Sequence, residues 1–243
     1  MGKERQNLLK GAESMGIQLS EEQADLLLSY CKILAEANQH MNLTSIDDPE
    51  SVVTRHFLDS LAPLSVPFIA ETLKRPETRL IDVGTGAGFP GLPLAIVLPG
   101  LKVTLLDSLN KRVRFLETVI EELGITNVKT VCGRAEDCAK DPEMREKFDV
   151  AVSRAVAELA VLSEYDLPFV KKGGLFLAYK GKDAEEEAVR AERALSILGG
   201  KASIESYEIP GTDLEHVLVV IEKMFETPDK YPRRAGIPSK RPL

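Results

Sequence analysis

The chain has 243 residues, 44% of them hydrophobic, and a formal charge of −7 at neutral pH. That length and apolar content fit one large domain, or one domain with an appendage, built around a buried core. No apolar run approaches the ~20 residues that span a bilayer, the opening MGKERQNLLKGAESMG is too charged for a signal peptide, and Gln6 stands where a myristoylation pattern wants Ser or Thr; a cytoplasmic protein without a membrane partner is expected.

Residues 20–40 open with Ser20 and Gln23, a capping-box pair, and continue with Ala24, Leu27, Leu28, Cys31 and Leu34 at helical spacing. A second helical stretch is predicted over about 49–73, with Pro49 suited to a first turn. Residues 1–75 thus read as a helical amino-terminal extension. From Arg79 the pattern changes to β-branched runs alternating with helical segments, the signature of a doubly wound α/β sheet. Strands are predicted at 79–84, 102–107, 128–132, 148–153, 174–179, 202–209 and 216–222. Helices fill the gaps at about 91–98, 111–123, 155–170 and 183–198, with Gly124 and Gly199 as stops. PGTDLE between the last two strands is too short for a crossover helix, so those strands run antiparallel. The expected fold is a seven-stranded, mostly parallel, Rossmann-like sheet with its last strand reversed.

Residues 76–228 form this main domain, and 229–243 a separate basic tail. In DKYPRRAGIPSKRPL, Lys230, Arg233, Arg234, Lys240 and Arg241 follow Asp229 with no further acid, and prolines interleave them. Such a segment is expected to be an extended surface strap rather than a helix. Its cations are candidates for contact with RNA phosphates, an exception to the net acidity that otherwise argues against a nucleic-acid partner, DNA included. A solvated tail is the alternative. Cys31, Cys132 and Cys138 contain no C-x-x-C pair, and His40, His56 and His216 are scattered, so neither a disulfide framework nor a metal site is expected.

The segment LIDVGTGAGFPGLPLAI carries two glycine registers. Gly86, Gly88 and Gly91 spell the dinucleotide fingerprint G-x-G-x-x-G, whereas Gly84, Gly86 and Gly88 spell G-x-G-x-G. A dinucleotide site offers a helix N-terminus to a pyrophosphate. S-adenosylmethionine has no phosphate and instead carries a sulfonium, an ammonium and a carboxylate. Asp82, two residues before the first glycine, would oppose a pyrophosphate and suit the methionine moiety. Asp107 ends the second strand, where it can accept from ribose hydroxyls of either cofactor. Glu136, with Asp137, follows the third strand at the depth of an adenine amine. Acids at three successive strand tips, on the edge where open α/β sheets bind ligands, favour a cofactor site over solvated loop residues.

The acceptor is read from what is missing. The turn after the fourth strand is VSRAVAEL, not the [DN]-P-P-[FYW] that serves exocyclic amines, and no Pro-Cys offers a nucleophile for attack at pyrimidine carbon. A nitrogen with an in-plane lone pair, such as guanine N7, needs only alignment and exclusion of water. Lys111, Arg112 and Arg114 crowd the start of a helix, where cations are unfavourable, so they pair with local acids or contact phosphate. His56 and Asp59, three apart on a helix, read as packing residues.

The blocks DVGTGAGFPGLPLAI, LLDSLNKRVRFLE, FDVAVSRAVAEL, YKG and KYPRRAGIPSKRPL, with NLTSI and RHFLDSL upstream, resemble the RsmG family, also called glucose-inhibited division protein B, from about residue 20 to the end. The resemblance implies a class I S-adenosylmethionine-dependent methyltransferase acting on N7 of a guanosine in 16S rRNA, in the loop near the decoding centre, with S-adenosylhomocysteine as product. It also implies that loss of function confers low-level streptomycin resistance. The family's cofactor contacts fall on Gly84, Phe89, Asp107, Ser108, Ala135, Glu136 and Arg154, and its basic residues near the target include Arg154 and Lys180. Because N7 must stay open, Arg154 or Lys180 is expected to hold guanine O6 or a flanking phosphate; for Arg154 an ion pair shaping the cofactor pocket is the alternative. The resemblance also implies a 16S rRNA substrate, expected within the small subunit or an assembly intermediate. Removal of 230–243 is expected to abolish RNA methylation while sparing cofactor binding. Alternatives are a methyltransferase acting on a small metabolite or a protein, an NAD-dependent oxidoreductase, and a non-catalytic assembly factor.

Overall fold

The computed structural model describes residues 2–46, 48–154, 157–212 and 216–243. Its centre is a seven-stranded sheet of β1 (Arg79–Val83), β2 (Lys102–Asp107), β3 (Val128–Cys132), β4 (Phe148–Arg154), β5 (Val170–Lys180), β6 (Gly200–Tyr207) and β7 (His216–Lys223), in the order β3-β2-β1-β4-β5-β7-β6. The strands from β1 to β5 pair in parallel, and β7 slots antiparallel between β5 and β6. The sheet expected from the sequence is borne out. Its β6–β7 connection contains residues 213–215, outside the described residues. The β5 strand begins four residues earlier than predicted, at Val170.

Eleven α-helical segments occur among the described residues. They are α1 (Gly2–Ser14), α2 (Glu21–Met41), α3 (Pro49–Val52), α4 (Asp59–Leu61), α5 (Pro67–Lys74), α6 (Gly91–Val97), α7 (Asn110–Glu122), α8 (Ala135–Cys138), α9 (Leu159–Asp166), α10 (Ala184–Leu198) and α11 (Ile237–Lys240). The Ser20–Gln23 capping box forms as expected, with both reciprocal bonds present. The single helix predicted over 49–73 is instead broken: α3 runs into a π-helical turn, Val53–Leu58, then α4 and a 3-10 turn, before α5 starts at Pro67. Pro63 and Pro67 supply no donor to the preceding turn, which prevents one continuous ladder. The helix predicted over 155–170 is described from Leu159; residues 155 and 156 lie outside the described residues. The strap, expected to be extended, instead turns at 229–230 and 235–236 and forms one helical turn, Ile237–Lys240, which Pro238 tolerates because a first turn needs no intrahelical donor.

The helices of 2–74 share a core with one face of the sheet. Leu8, Leu27, Tyr30, Phe57 and Leu61 pack with Leu80, Leu92, Leu105 and Val150 in one cluster, and each fully buried Leu or Phe contributes roughly 1.5–3 kcal/mol. The opposite face is covered by α9 and α10 through Leu159, Leu162, Ala191 and Leu195.

The start of the strap is fastened to this second layer. Fully buried Lys223 donates to Leu167 O and Thr227 Oγ1, each at 2.6 Å, and lies 3.1 Å from Glu146. Burial outweighs Glu146 and brings its pKa down to about 8. Arg145 donates to the carbonyls of Thr227 and Tyr231 at 2.7 and 2.9 Å.

Asp166, at the end of α9, is fully buried and neither carboxyl oxygen has a partner among the described residues. Burial, reinforced by Asp82, holds its pKa well above the usual carboxylate range. A raised folded pKa means that its favourable contribution is complete below the unfolded value near pH 4 and is lost as pH rises toward the folded value. Asp166→Asn removes this proton linkage. Its stability relative to the parent should therefore grow by up to about 1.4 kcal/mol per pH unit above pH 4 in denaturant titrations, and a pH-independent difference would contradict the assignment.

Candidate active site

The carboxyl ends of β1 to β4 open into a two-lobed cleft. One lobe, about 200 Å3, is lined by Gly84, Asp107, Ser108, Ala135 and Glu136, with Tyr165, Gly236 and Ser239 opposite. The other, about 630 Å3, is lined by Gly84, Gly86, Phe89, Asp107, Ser108 and Arg154, with Thr44, Arg55, His56 and Asp59 contributed by the amino-terminal helices. The lobes meet at Gly84, Asp107 and Ser108.

Asp82 does not face either lobe. Its carboxylate is fully buried beneath the turn, where Oδ2 accepts from Thr85 Oγ1 and from the Gly91 N–H, both at 2.8 Å. The expected contact with a methionine moiety is therefore replaced by a structural one: the side chain caps α6 from inside. Burial raises its pKa to about 6 in spite of those bonds.

The glycine turn is closed by the same economy of donors. Gly84 and Thr85 N–H bond Leu106 O, Gly88 and Phe89 N–H bond Thr85 O, and Leu92 N–H bonds Gly88 O. Gly86 N–H is taken by Asp107 Oδ2 at 3.0 Å. With Gly91 held by Asp82, these amides are not free to cradle a pyrophosphate, so the dinucleotide register is not realised. Gly86 has positive φ and open space at the Cβ position, which leaves the backbone bare to a ligand; Gly88 instead packs tightly against Tyr30 and Leu116 and lines neither lobe. Tyr30 of α2 donates its hydroxyl to Ala87 O, tying the turn to the amino-terminal helices.

Asp107, 3% exposed, borders both lobes and also accepts from Leu109 N–H at the start of α7, with Arg112 3.3 Å away. That pairing accounts for Arg112 in the basic cluster; Lys111 reaches Met41 O at 3.4 Å, and Arg114 is exposed. Glu136 is 4% exposed and Oε1 accepts from the Gly236 N–H at 2.9 Å. The lining fits S-adenosylmethionine: acids stand at the tips of β2 and β3, and the Gly86 backbone has open space at its Cβ position.

Arg154, at the tip of β4, is the centre of the larger lobe. Its guanidinium lies 5.1 Å from the Phe89 ring centre, donates to Asp59 Oδ2 at 2.7 Å and to Arg55 O at 3.2 Å, and meets His56 Nδ1 at 3.2 Å. His56 Nδ1 also lies 3.2 Å from the Arg55 carbonyl; in the tautomer that satisfies Arg154, which can only donate, Nδ1 accepts and Nε2 donates to Thr44 Oγ1 at 2.9 Å. Burial and the Arg154 charge lower the His56 pKa to about 4. Asp59 also accepts from Tyr207 at 2.7 Å and from His216 at 3.2 Å. Burial alone would raise its pKa, but His216, Arg154 and Tyr207 outweigh burial and hold it below the usual range. The π-helical turn brings this about: it sends Val53, Phe57 and Leu58 into the core while Arg55 and His56 line the cleft. His56 and Asp59, read from sequence as packing residues, are thus part of the site. The π turn and their partner Arg154, 95 residues beyond Asp59, left no local signal.

Lys180 lines neither lobe. Its ammonium bonds Ala157 O at 2.7 Å and Glu187 Oε2 at 2.6 Å, and Glu187 also takes the Leu159 N–H, so Lys180 fastens the segment after β4 to α10. Among the strap cations, Arg233 makes a two-pronged pair with fully buried Glu164 on α9, with Nη2 at 2.6 Å and Nε at 2.9 Å, so its guanidinium is committed inside the protein rather than to RNA. Lys230, Arg234, Lys240 and Arg241 are exposed. Among the described residues no group of acids, histidines and cysteines could hold a metal, and no helix is long and apolar enough to cross a membrane.

A family model described as rRNA small subunit methyltransferase G matches residues 23–211. The chain is 49% identical to the ribosomal RNA small subunit methyltransferase G of Acetivibrio thermocellus, over 98% of this chain and 96% of that one. It is 50% identical to the protein of the same name from Alkaliphilus metalliredigens, over 97% of each. Among solved structures, a SAM-dependent methyltransferase from Aquifex aeolicus shares the fold at a TM-score of 0.53 and 18% identity, covering 74% of this chain and 96% of that one.

The His56 assignment predicts that its imidazole stays neutral down to about pH 4 while an unperturbed His titrates near 6.5. Histidine NMR titration, with His56→Gln to identify the signal, should show this low transition and its return toward ordinary values in Arg154→Ala. A His56 signal titrating near 6.5 in the parent would overturn the assigned network.

Proposed function

The chain belongs to the GidB family of small-subunit rRNA methyltransferases, and from that premise we propose that it methylates N7 of a guanosine in 16S rRNA, in the loop near the decoding centre. S-adenosylmethionine, when bound, supplies an electrophilic methyl on a sulfonium. The acceptor's N7 lone pair forms the new N–C bond as the C–S bond breaks, giving S-adenosylhomocysteine and a guanosine that carries the positive charge. No proton leaves in that step.

The observation that carries this reading is the larger lobe, where orientation is supplied and the acids and imidazole named on its wall are already engaged, Asp107 by Gly86, Leu109 and Arg112. His56, the imidazole lining it among the described residues, is neutral with both ring nitrogens engaged, and Asp59 is spent on three donors. Such a site suits a nitrogen that needs alignment alone. Arg154 keeps part of its donor fork for the acceptor, while Asp59 offsets its charge so that a product cation is not met by a bare positive group. We assign guanine O6 or a flanking phosphate to Arg154, and to Lys180 the positioning of the segment that follows it.

RNA reaches the lobe by way of a neighbouring cleft of about 770 Å3 beside α1, lined by Asn7, Lys10, Ser51 and Arg55. Arg55 borders both this cleft and the larger lobe, is exposed, and forms no ion pair among the described residues. The acceptor is expected in the small subunit or an assembly intermediate, because few cations line the path and shape must supply the rest.

Labelled methyl from S-adenosylmethionine should transfer to unmodified small-subunit particles, with cleavage mapping placing it at guanosine N7. Transfer to another atom or to protein alone would refute the assignment. Arg154→Ala should lower kcat by roughly 10²-fold, whereas Arg55→Ala should raise KM and reduce the salt slope of RNA binding by about one. Loss of the gene is expected to give low-level streptomycin resistance, readable on plates.

A further inference from the structure

The strap, expected from the sequence to contact RNA through its cations, also reaches the smaller lobe. Gly236 and Ser239 form one side of that cavity, opposite Gly84, Asp107 and Ala135. The Gly236 N–H is bonded to Glu136 Oε1 at 2.9 Å, although the two residues are 100 positions apart. Glu136 is almost wholly buried, so a carboxylate facing the ligand depends on a strap amide for one of its bonds. The other side of the strap is anchored: Tyr231 and Pro232 are buried, Arg233 clamps Glu164, and Arg145 holds the Tyr231 carbonyl. Between anchor and cavity, Arg234 and Ala235 are exposed, and beyond it so are Lys240 and Arg241.

We propose that residues 236–240 are the adenine-side wall of the donor pocket, so that the adenosine end of S-adenosylmethionine or S-adenosylhomocysteine is gripped between strap and sheet and its presence fixes the strap. The inference deepens the methyltransferase reading and rests on it. In a cavity of about 200 Å3 the wall removes one face of a planar base from water, and the Gly236–Glu136 bond fixes the carboxylate that meets the base's exocyclic amine. Donor binding also orders the turn bearing Lys240, so the cations nearest the wall take a defined position once the donor is in place. Removing 230–243 would therefore not spare cofactor binding, contrary to the reading of the sequence, and would strip buried Glu164 of its partner as well.

The test is calorimetric titration of S-adenosylhomocysteine into the full chain, a chain ending at Ala235, which keeps the Arg233–Glu164 anchor, and a chain ending at Lys240. Ending at Ala235 should weaken binding by roughly tenfold or more, while ending at Lys240 should leave it within about twofold. Thermal melts check that both fold. Independently, saturating S-adenosylhomocysteine should slow trypsin cleavage of the full chain after Arg234 and Lys240 by roughly fivefold or more. Equal affinity of the folded Ala235 chain, or cleavage unchanged by ligand, overturns the wall. Failure of the full chain to bind S-adenosylhomocysteine or S-adenosylmethionine overturns the donor reading itself and the wall with it.

Discussion

A carboxylate without access to water sits at the amino-terminal end of α6, and the geometry of the site follows from it. Asp82 accepts from Thr85 and from the first amide of the helix, and so completes internally what a dinucleotide fold leaves for its ligand's pyrophosphate. The turn around it then engages most of its amides, those of Gly84, Thr85, Gly86, Gly88 and Phe89 among them, with Leu106, Thr85 and Asp107. What remains exposed is a glycine backbone flanked by acids at the tips of β2 and β3, a surface for a donor with hydroxyls, an amine and a cationic sulfur. Burial raises the Asp82 pKa to about 6, so the anion that organises the turn is held there at the expense of stability.

The amino-terminal helices complete the chemistry that the sheet begins. Tyr30 clamps the turn at Ala87, and the ring of His56 stacks on Phe89 with centres 4.4 Å apart. Arg154 then lies over Phe89 with Asp59 and His56 on its flanks. Because Leu8, Tyr30 and Phe57 share a core with Leu80 and Leu92, these side chains are fixed by packing rather than by a loop. A neutral His56 and a partnered Asp59 give the lobe orienting groups that are already engaged with Arg154.

The carboxyl-terminal segment shows how little a charge pattern says about where charges end up. Of the five strap cations, Arg233 turns inward onto Glu164, and the backbone beyond it closes one side of the smaller lobe. Burial of Glu164 makes that pair compulsory, since an unpaired buried carboxylate is costly. Net acidity of the chain and a basic strap are thereby reconciled: part of the basicity is internal.

Local periodicity was enough to establish the alternating strands and helices, the capping box at Ser20, the reversed strand, the glycine turn and the acids at the strand tips, because each depends on neighbours within a few residues. The motif blocks added the family and its chemistry. Tertiary structure alone decided that Asp82 points beneath the turn, that a π turn delivers His56 and Asp59 to Arg154, that Lys180 is fastened to α10, and that the strap walls a cavity. Several of these facts depend on distant partners, 69 residues apart in Arg233–Glu164, 95 in Arg154–Asp59 and 100 in Gly236–Glu136, and the others on side-chain directions that only the packed layers fix. Which of several nearby carboxylates a cation meets is settled by the packing of the layers between them, and no spacing in the chain records that.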